Sequence, residues 1–354
     1  MSQQRAYAMV GRRSFLALAG GTVLGLAACS PQAGTVARSE TVGKLPSGAP
    51  PPDTKLSVAV RTTRLQLKPS GLDKEVPFKV SEWPNLNAGP DIIQGFRARS
   101  IDLAANAGIP PIQANAIGVD AKIVAVQVRN EPIYVFATAP GSSLTDVADF
   151  RGKKIAFSQG QAQGVVVLRA LKKAGLSNDD VELVALPSTQ FLTALQSGQV
   201  DVAPLAEPTL TKYLDRYGRD GARAVTTDVV DLLVVLWAPT DVLNDPAKAA
   251  AVRSFIPVWA RGQVWAWEHT DQWIDTYYVK DQGVTEEDGA RIVASLRAPT
   301  FPVSWDKAIA WEQETADLMA EGGFVPEQDV TGLFDRRFEG LAATAVPARY
   351  RETS

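Results

Sequence analysis

Short apolar runs alternate with amphipathic stretches along most of the chain. Lys55-Leu56-Ser57-Val58-Ala59-Val60, Val76-Pro77-Phe78-Lys79-Val80 and Ile101-Asp102-Leu103-Ala104-Ala105 read as strands. Between the second and third, Gly89-Pro90-Asp91 opens a stretch in which Ile92, Ile93, Phe96 and Ile101 point to one face. A proline there fits the first turn of a helix, where its missing N–H would be unpaired in any case. The pattern restarts after residue 130. Ile133–Ala137, Lys154–Phe157, Val181–Leu186 and Val200–Ala203 read as strands, and Ser143–Phe150, Val165–Ala174 and Gln190–Gln196 as the helices between them.

This alternation predicts an α/β protein in two similar halves, each a mostly parallel sheet flanked by helices. Each strand ends in a polar or glycine-bearing turn that opens a helix. In open α/β sheets, ligands bind beyond the carboxyl ends of the strands, where the first helical N–H groups have no partner in the helix and favour anions. Any single turn is equally well read as a plain connection.

The first fifty residues have another pattern. Arg12-Arg13-Ser14-Phe15-Leu16 precedes an apolar run to Leu26 that is short for a membrane span, and Leu26-Ala27-Ala28-Cys29 closes it. Residues 1–29 therefore read as a signal peptide, and the closing four resemble the lipobox of bacterial lipoproteins, in which the cysteine sulfur takes a diacylglycerol. The paired arginines resemble a Tat export signal as well, although Sec signals also carry adjacent arginines. Residues 30–53, rich in Pro, Gly, Ser and Thr and ending in Pro50-Pro51-Pro52, read as a flexible linker.

Charge and rare residues narrow the chemistry. The net charge of −3 comes from 36 basic and 39 acidic residues, and removal of residues 1–29, whose only charges are Arg5, Arg12 and Arg13, leaves −6. A mildly acidic body without basic blocks lacks the footprint of a nucleic-acid binder. One cysteine and one histidine make a disulfide or a zinc site unexpected. His269 lies outside any nucleophile motif and reads as a helix-terminal residue. Six of the eight tryptophans crowd the C-terminal third and read as packing residues.

Several stretches, in order, resemble the periplasmic binding proteins of sulfonate, taurine and nitrate importers. They are Asn87-Ala88-Gly89-Pro90-Asp91-Ile92-Ile93, Arg99-Ser100-Ile101-Asp102-Leu103 with Pro110-Pro111, and Asp149-Phe150-Arg151-Gly152-Lys153-Lys154-Ile155-Ala156. Leu195-Gln196-Ser197-Gly198-Gln199-Val200-Asp201 before Glu207-Pro208, and Leu333-Phe334-Asp335-Arg336-Arg337-Phe338, complete the set. The resemblance covers roughly residues 54–340. It implies a type II two-lobed binding fold whose lobes, 54–132 with 238–354 and 133–237, are joined by two crossing strands and close by a hinge around a solute. It also implies no cofactor and no chemistry. The implied partners are a small anionic solute of the sulfonate class and the permease and ATPase subunits of an ABC importer. The implied state is a monomer, lipid-anchored to the outer face of the cytoplasmic membrane.

The resemblance directs attention to particular residues. Backbone N–H groups of Asn87, Ala88 and Gly89 from one lobe and Gly160, Gln161 and Ala162 from the other would close on one anion. Arg61 is either a charge partner or a surface arginine, and Asn106, in the turn that reaches Gly108, either a ligand amide or a turn residue. Glu207 fits a structural hydrogen-bonding role better than contact with a sulfonate, and Trp237 lies near the second crossing. The chain departs from the family in Ala107-Gly108-Ile109 and Ala206-Glu207-Pro208-Thr209, the latter lacking two aromatic rings. An enzyme of desulfinase or pyrimidine-precursor type shares this fold, but the desulfinase needs a cleft cysteine, and Cys29 lies in the leader. A ligand sensor is the third reading.

Overall fold

The computed structural model describes residues 41, 43–86 and 88–352. Cys29, the paired arginines, Asn87 and half of the linker lie outside the described residues. Two five-stranded sheets organise the body. The first contains β1 (Lys55–Ala59), β2 (Lys79–Glu82), β3 (Leu103–Ala107), β4 (Ala121–Val128) and β10 (Leu233–Pro239), in the order β2-β1-β3-β10-β4. The second contains β5 (Tyr134–Thr138), β6 (Lys154–Phe157), β7 (Glu182–Ala185), β8 (Val202–Ala206) and β9 (Ala224–Val225), in the order β7-β6-β8-β5-β9.

The sheets are mixed, with one odd strand in each. In the first, β1 is parallel to β2 and β3, while β10 is antiparallel to β3 and β4. In the second, β6 is parallel to β7 and β8, while β5 is antiparallel to β8 and β9. Both odd strands are the first that the chain forms after crossing from the other lobe. The chain leaves one sheet at the carboxyl ends of its parallel strands and enters the next at the same edge, so the arriving strand runs the other way. The expected return to the first lobe at residue 238 falls inside β10, all of which pairs with first-lobe strands. Residues 129–133 and 226–232 are the two crossings.

Alternation along the strands explains the second lobe's core. Phe136, Ile155 and Phe157 pack with Phe150 and Val167 on one face, whereas Ala137 and Ala156 pack with Phe191, Leu195 and Tyr213 on the other. A period of two places successive side chains on opposite faces, so both faces are covered. In the first lobe all eight residues of β4 are buried, the polar Lys122 and Gln127 included, as expected of a strand covered on both sides. Its core is closed by the long Pro246–Glu268 helix, capped by Asp245, whose carboxylate accepts from the N–H groups of Ala247 and Lys248.

Some elements differ from the sequence expectation. Arg61–Ser70 is a helix, although its pattern is mostly polar; Thr63, Gln66 and Leu67 are its buried residues. The segment Val147–Phe150 forms a single 3₁₀ turn closed by a capping box between Asp146 and Asp149, rather than a longer helix.

Candidate functional site

Three helices of eight or more residues begin where the lobes meet. Gly89–Arg97, Ile109–Ala116 and Ala162–Lys173 follow Ala88, Gly108 and Gln161, and none of these residues caps its helix with a side chain. The starts touch across the lobe boundary. A Cβ built on Gly89 would stand 2.7 Å from Pro110 Cγ and 3.0 Å from the Gly160 carbonyl oxygen, and one on Gly160 would stand 2.9 Å from Gln113 Cγ. Gly160 has φ +81°, a left-handed conformation that glycine adopts without strain. Ala162 and Val165 of the second lobe are buried against the first-lobe core. The sequence-expected groups at Ala88, Gly89, Gly160 and Ala162 are thus brought together in a closed contact. The Gln161 side-chain oxygen accepts from Ser158 Oγ and, at 3.1 Å, from the Ser188 N–H, so the amide ties two second-lobe loops together.

The other expected residues have local partners. Arg61 Nη2 donates to both carboxylate oxygens of Asp281, at 2.5 and 2.6 Å, beside a cavity of about 280 Å³. Trp237 is fully buried, packed edge-on against Phe96 with centroids 4.6 Å apart, and its Nε1 donates to Asn106 Oδ1 at 3.2 Å. The ring is part of the first-lobe core and does not line the cleft. Glu207 accepts from the Thr211 N–H at 3.1 Å and from Thr211 Oγ1 at 2.7 Å, inside the first turn of the Thr209–Tyr217 helix. Arg291, on the Glu286–Ser295 helix, reaches back to both Thr211 and Glu207.

Gly108 lies against a residue that the sequence reading did not select. A Cβ there would meet the Glu312 carboxyl group, 2.3 Å from Oε2. Glu312 is only 1% exposed, and its Oε1 has no hydrogen-bond partner among the described residues. Burial pushes its pKa up to about 8, with Asp231 adding to the rise and Arg169 opposing it. Asp231, in the second crossing, is pushed up to about 6 by burial, against the pull of Arg129 and Arg169.

Open space adjoins both crossings: a cavity of about 600 Å³ lies beside Asp228, Val229 and Val230 of the second, and another beside the first. A cavity of about 490 Å³ is bounded by Thr62, Gln66 and Gln127 of the first lobe, Arg129 and Ile133 of the first crossing, and Val135, Ala206, Glu207 and Leu210 of the second lobe. The C-terminal segment closes it with Trp267, Tyr277 and Tyr278. Arg129 is half-buried, and its backbone N–H donates to the Leu232 carbonyl at 2.7 Å, joining the two crossings. Its guanidinium makes no hydrogen bond or ion pair with another described residue, acting on Asp231, Tyr277 and Tyr278 only as a nearby charge. A guanidinium in such a chamber, with Asp231 as a nearby charge but no hydrogen bond to a carboxylate among the described residues, can form charge-assisted hydrogen bonds to an entering oxyanion. In the sequence Arg129 is one charge among several near β4, with Lys122 before it and Glu131 after it, and nothing local marks it as facing a cavity. Among the described residues no helix is long and apolar enough to cross a membrane, and no group of three or more His, Cys, Asp or Glu is placed to hold a metal.

Comparison with known proteins agrees with this architecture. The family described as NMT1/THI5 like matches residues 88–272. A protein of Escherichia coli (strain K12) named for binding aliphatic sulfonates is 29% identical over 266 residues, covering 73% of this chain and 79% of its own. The fold is shared with the alkanesulfonate-binding protein SsuA from Xanthomonas axonopodis pv. citri bound to MOPS, with TM-score 0.70 and 23% identity over 85% of this chain and all of that one. It is also shared, at TM-score 0.55 and 16% identity over 83% of this chain and 98% of that one, with the desulfurization enzyme DSZB. The chain belongs to the NMT1/THI5-like family and is an extracytoplasmic solute-binding protein of the sulfonate, taurine and nitrate class of ABC importers.

Proposed function

We propose that this protein captures a small organosulfonate or related oxyanion in the chamber between its lobes, which close by a hinge at residues 129–133 and 226–232. The observation that carries this reading is Arg129, a half-buried cation that lines a 490 Å³ interlobe cavity and makes no side-chain hydrogen bond or ion pair with another described residue. The names of the E. coli and Xanthomonas relatives support the same ligand class. Gly89 and Gly160 serve as the contact that shuts the lobes, and the uncapped helix starts beside them add positive potential to the closed form. The solute leaves unchanged. The single cysteine, Cys29, belongs to the leader, so the body has no thiol for a desulfinase-type nucleophile. Residues 1–29 direct export, Cys29 carries the lipid anchor, and residues 30–53 tether the body to the membrane, where it docks on the permease.

Calorimetric titration with alkanesulfonates, taurine, nitrate and a cationic control tests the ligand class. Saturable binding of a sulfonate, with no binding of the cation, is expected. Tight binding of the cation and of none of the anions would overturn the ligand class and leave the transport role in place.

A further inference from the structure

The part of the chamber supplied by the C-terminal segment is aromatic. Trp267 comes from the end of the Pro246–Glu268 helix, and Tyr277 and Tyr278 from the π-helical turn Ile274–Val279, with Trp273 just before it. The rings support one another: Trp273 and Tyr277 stack with centroids 4.9 Å apart and planes 4° from parallel, and Tyr278 meets Tyr277 edge-on at 4.9 Å. A π-helical turn places adjacent tyrosines along the same wall, as recurs at functional sites. The hydroxyls of Tyr277 and Tyr278 make no hydrogen bond to another described residue. Burial raises the pKa of both above the ordinary tyrosine value, so they stay neutral donors beside an anion.

We infer that the chamber selects sulfonates carrying an aromatic ring, with the ring against Trp267 and Tyr277 and the oxyanion toward Arg129. This rests on the sulfonate reading above. Three observations support it: a stacked Trp273–Tyr277 pair with Trp267 lining the same cavity, a guanidinium there with no hydrogen bond or ion pair to another described residue, and a volume suited to more than a two-carbon solute. Leu210 and Val135 of the second lobe line the same cavity and add aliphatic surface to it. Aromatic pairs gain stabilisation beyond the area they bury, because the electron-rich face of one ring attracts the positive edge of another. A flexible alkyl chain gains none of that and loses more rotational freedom on binding.

The test compares benzenesulfonate with hexanesulfonate, which carry the same number of carbons and the same head group, by calorimetry on the mature protein. Benzenesulfonate is expected to bind about threefold to tenfold more tightly. In Trp267→Leu, with the thermal melt confirming the fold, that ratio should fall toward one while hexanesulfonate affinity changes little. Equal or tighter binding of hexanesulfonate by the wild-type protein overturns the aromatic selection and leaves the sulfonate reading standing. Failure of both sulfonates to bind overturns the two together.

Discussion

The carbonyl oxygen of Gly160 in the second lobe lies against the α-carbon of Gly89 in the first, so close that a single added methyl group at Gly89 would stand 3.0 Å from it. Neither neighbour of that methyl group can swing aside, since one is backbone and the other the ring of Pro110. In the variant Gly89→Leu the side chain meets Pro110 of the first lobe as well as the Gly160 carbonyl, so a thermal melt first establishes that the lobe is folded; in the folded protein the lobes should stop short of this contact. Solute affinity is expected to fall about tenfold or more, and small-angle scattering at saturating solute should retain the larger radius of gyration of the open form. Unchanged affinity with normal compaction would show that closure does not use this contact.

Glu312 and Asp231 make stability depend on pH. Their pKa values rise from 4.5 and 3.8 to about 8 and about 6 on folding. Between these limits the folded protein holds protons that the unfolded chain has released, so stability is greatest below about pH 4 as far as these groups are concerned. It then declines as pH rises toward 8. Glu312→Gln removes the larger part of that decline. Thermal melts should show the variant more stable than wild type at pH 8, by about 3 °C or more, and little different at pH 4. A variant less stable than wild type at pH 8 would mean that the buried carboxyl is held ionised by a favourable interaction.

Much of the second lobe was legible in the sequence because its strands and helices are short, alternate regularly and end at glycines such as Gly175 and Gly198, both with positive φ. The helix Arg61–Ser70 was not, because its inward face carries Thr63 and Gln66, polar residues whose burial only the long Pro246–Glu268 helix explains. Site residues divide the same way. The glycines at the lobe contact follow from turn chemistry, whereas Arg129 and the Trp267 and Tyr277 wall depend on which side chains the crossings and the C-terminal segment bring to one cavity. Local pattern carries no record of that. Trp237, close to a crossing in sequence, is turned into the first-lobe core by its place in β10.

That placement has a consequence for stability. Trp237→Ala should cost about 3–5 kcal/mol by leaving a large void beside Phe96. It also leaves the Asn106 oxygen without the indole donor. Chemical denaturation measures the loss, and any fall in solute affinity should follow the fraction unfolded. A stable variant with specifically weakened binding would return Trp237 to the cleft.

Membrane attachment is expected to depend on one atom, the sulfur of Cys29. In cells, Cys29→Ser should appear in the soluble extracytoplasmic fraction, because one lost lipid anchor is not replaced by any long apolar helix among the described residues. Retention of the variant in washed membranes would rule out lipid anchoring as the tether.

Arg129 is the residue on which the proposed capture of an anion turns. Titration of wild-type, Arg129→Lys and Arg129→Ala proteins with one sulfonate, at matched pH and salt, measures its part directly. Loss of charge-assisted hydrogen bonds in a partly dry site costs about 1.5–3 kcal/mol. Affinity should therefore fall roughly 10- to 150-fold in Arg129→Ala, and by less in Arg129→Lys, with melting temperatures near wild type. Arg129→Ala binding the sulfonate within twofold of wild type would contradict the account.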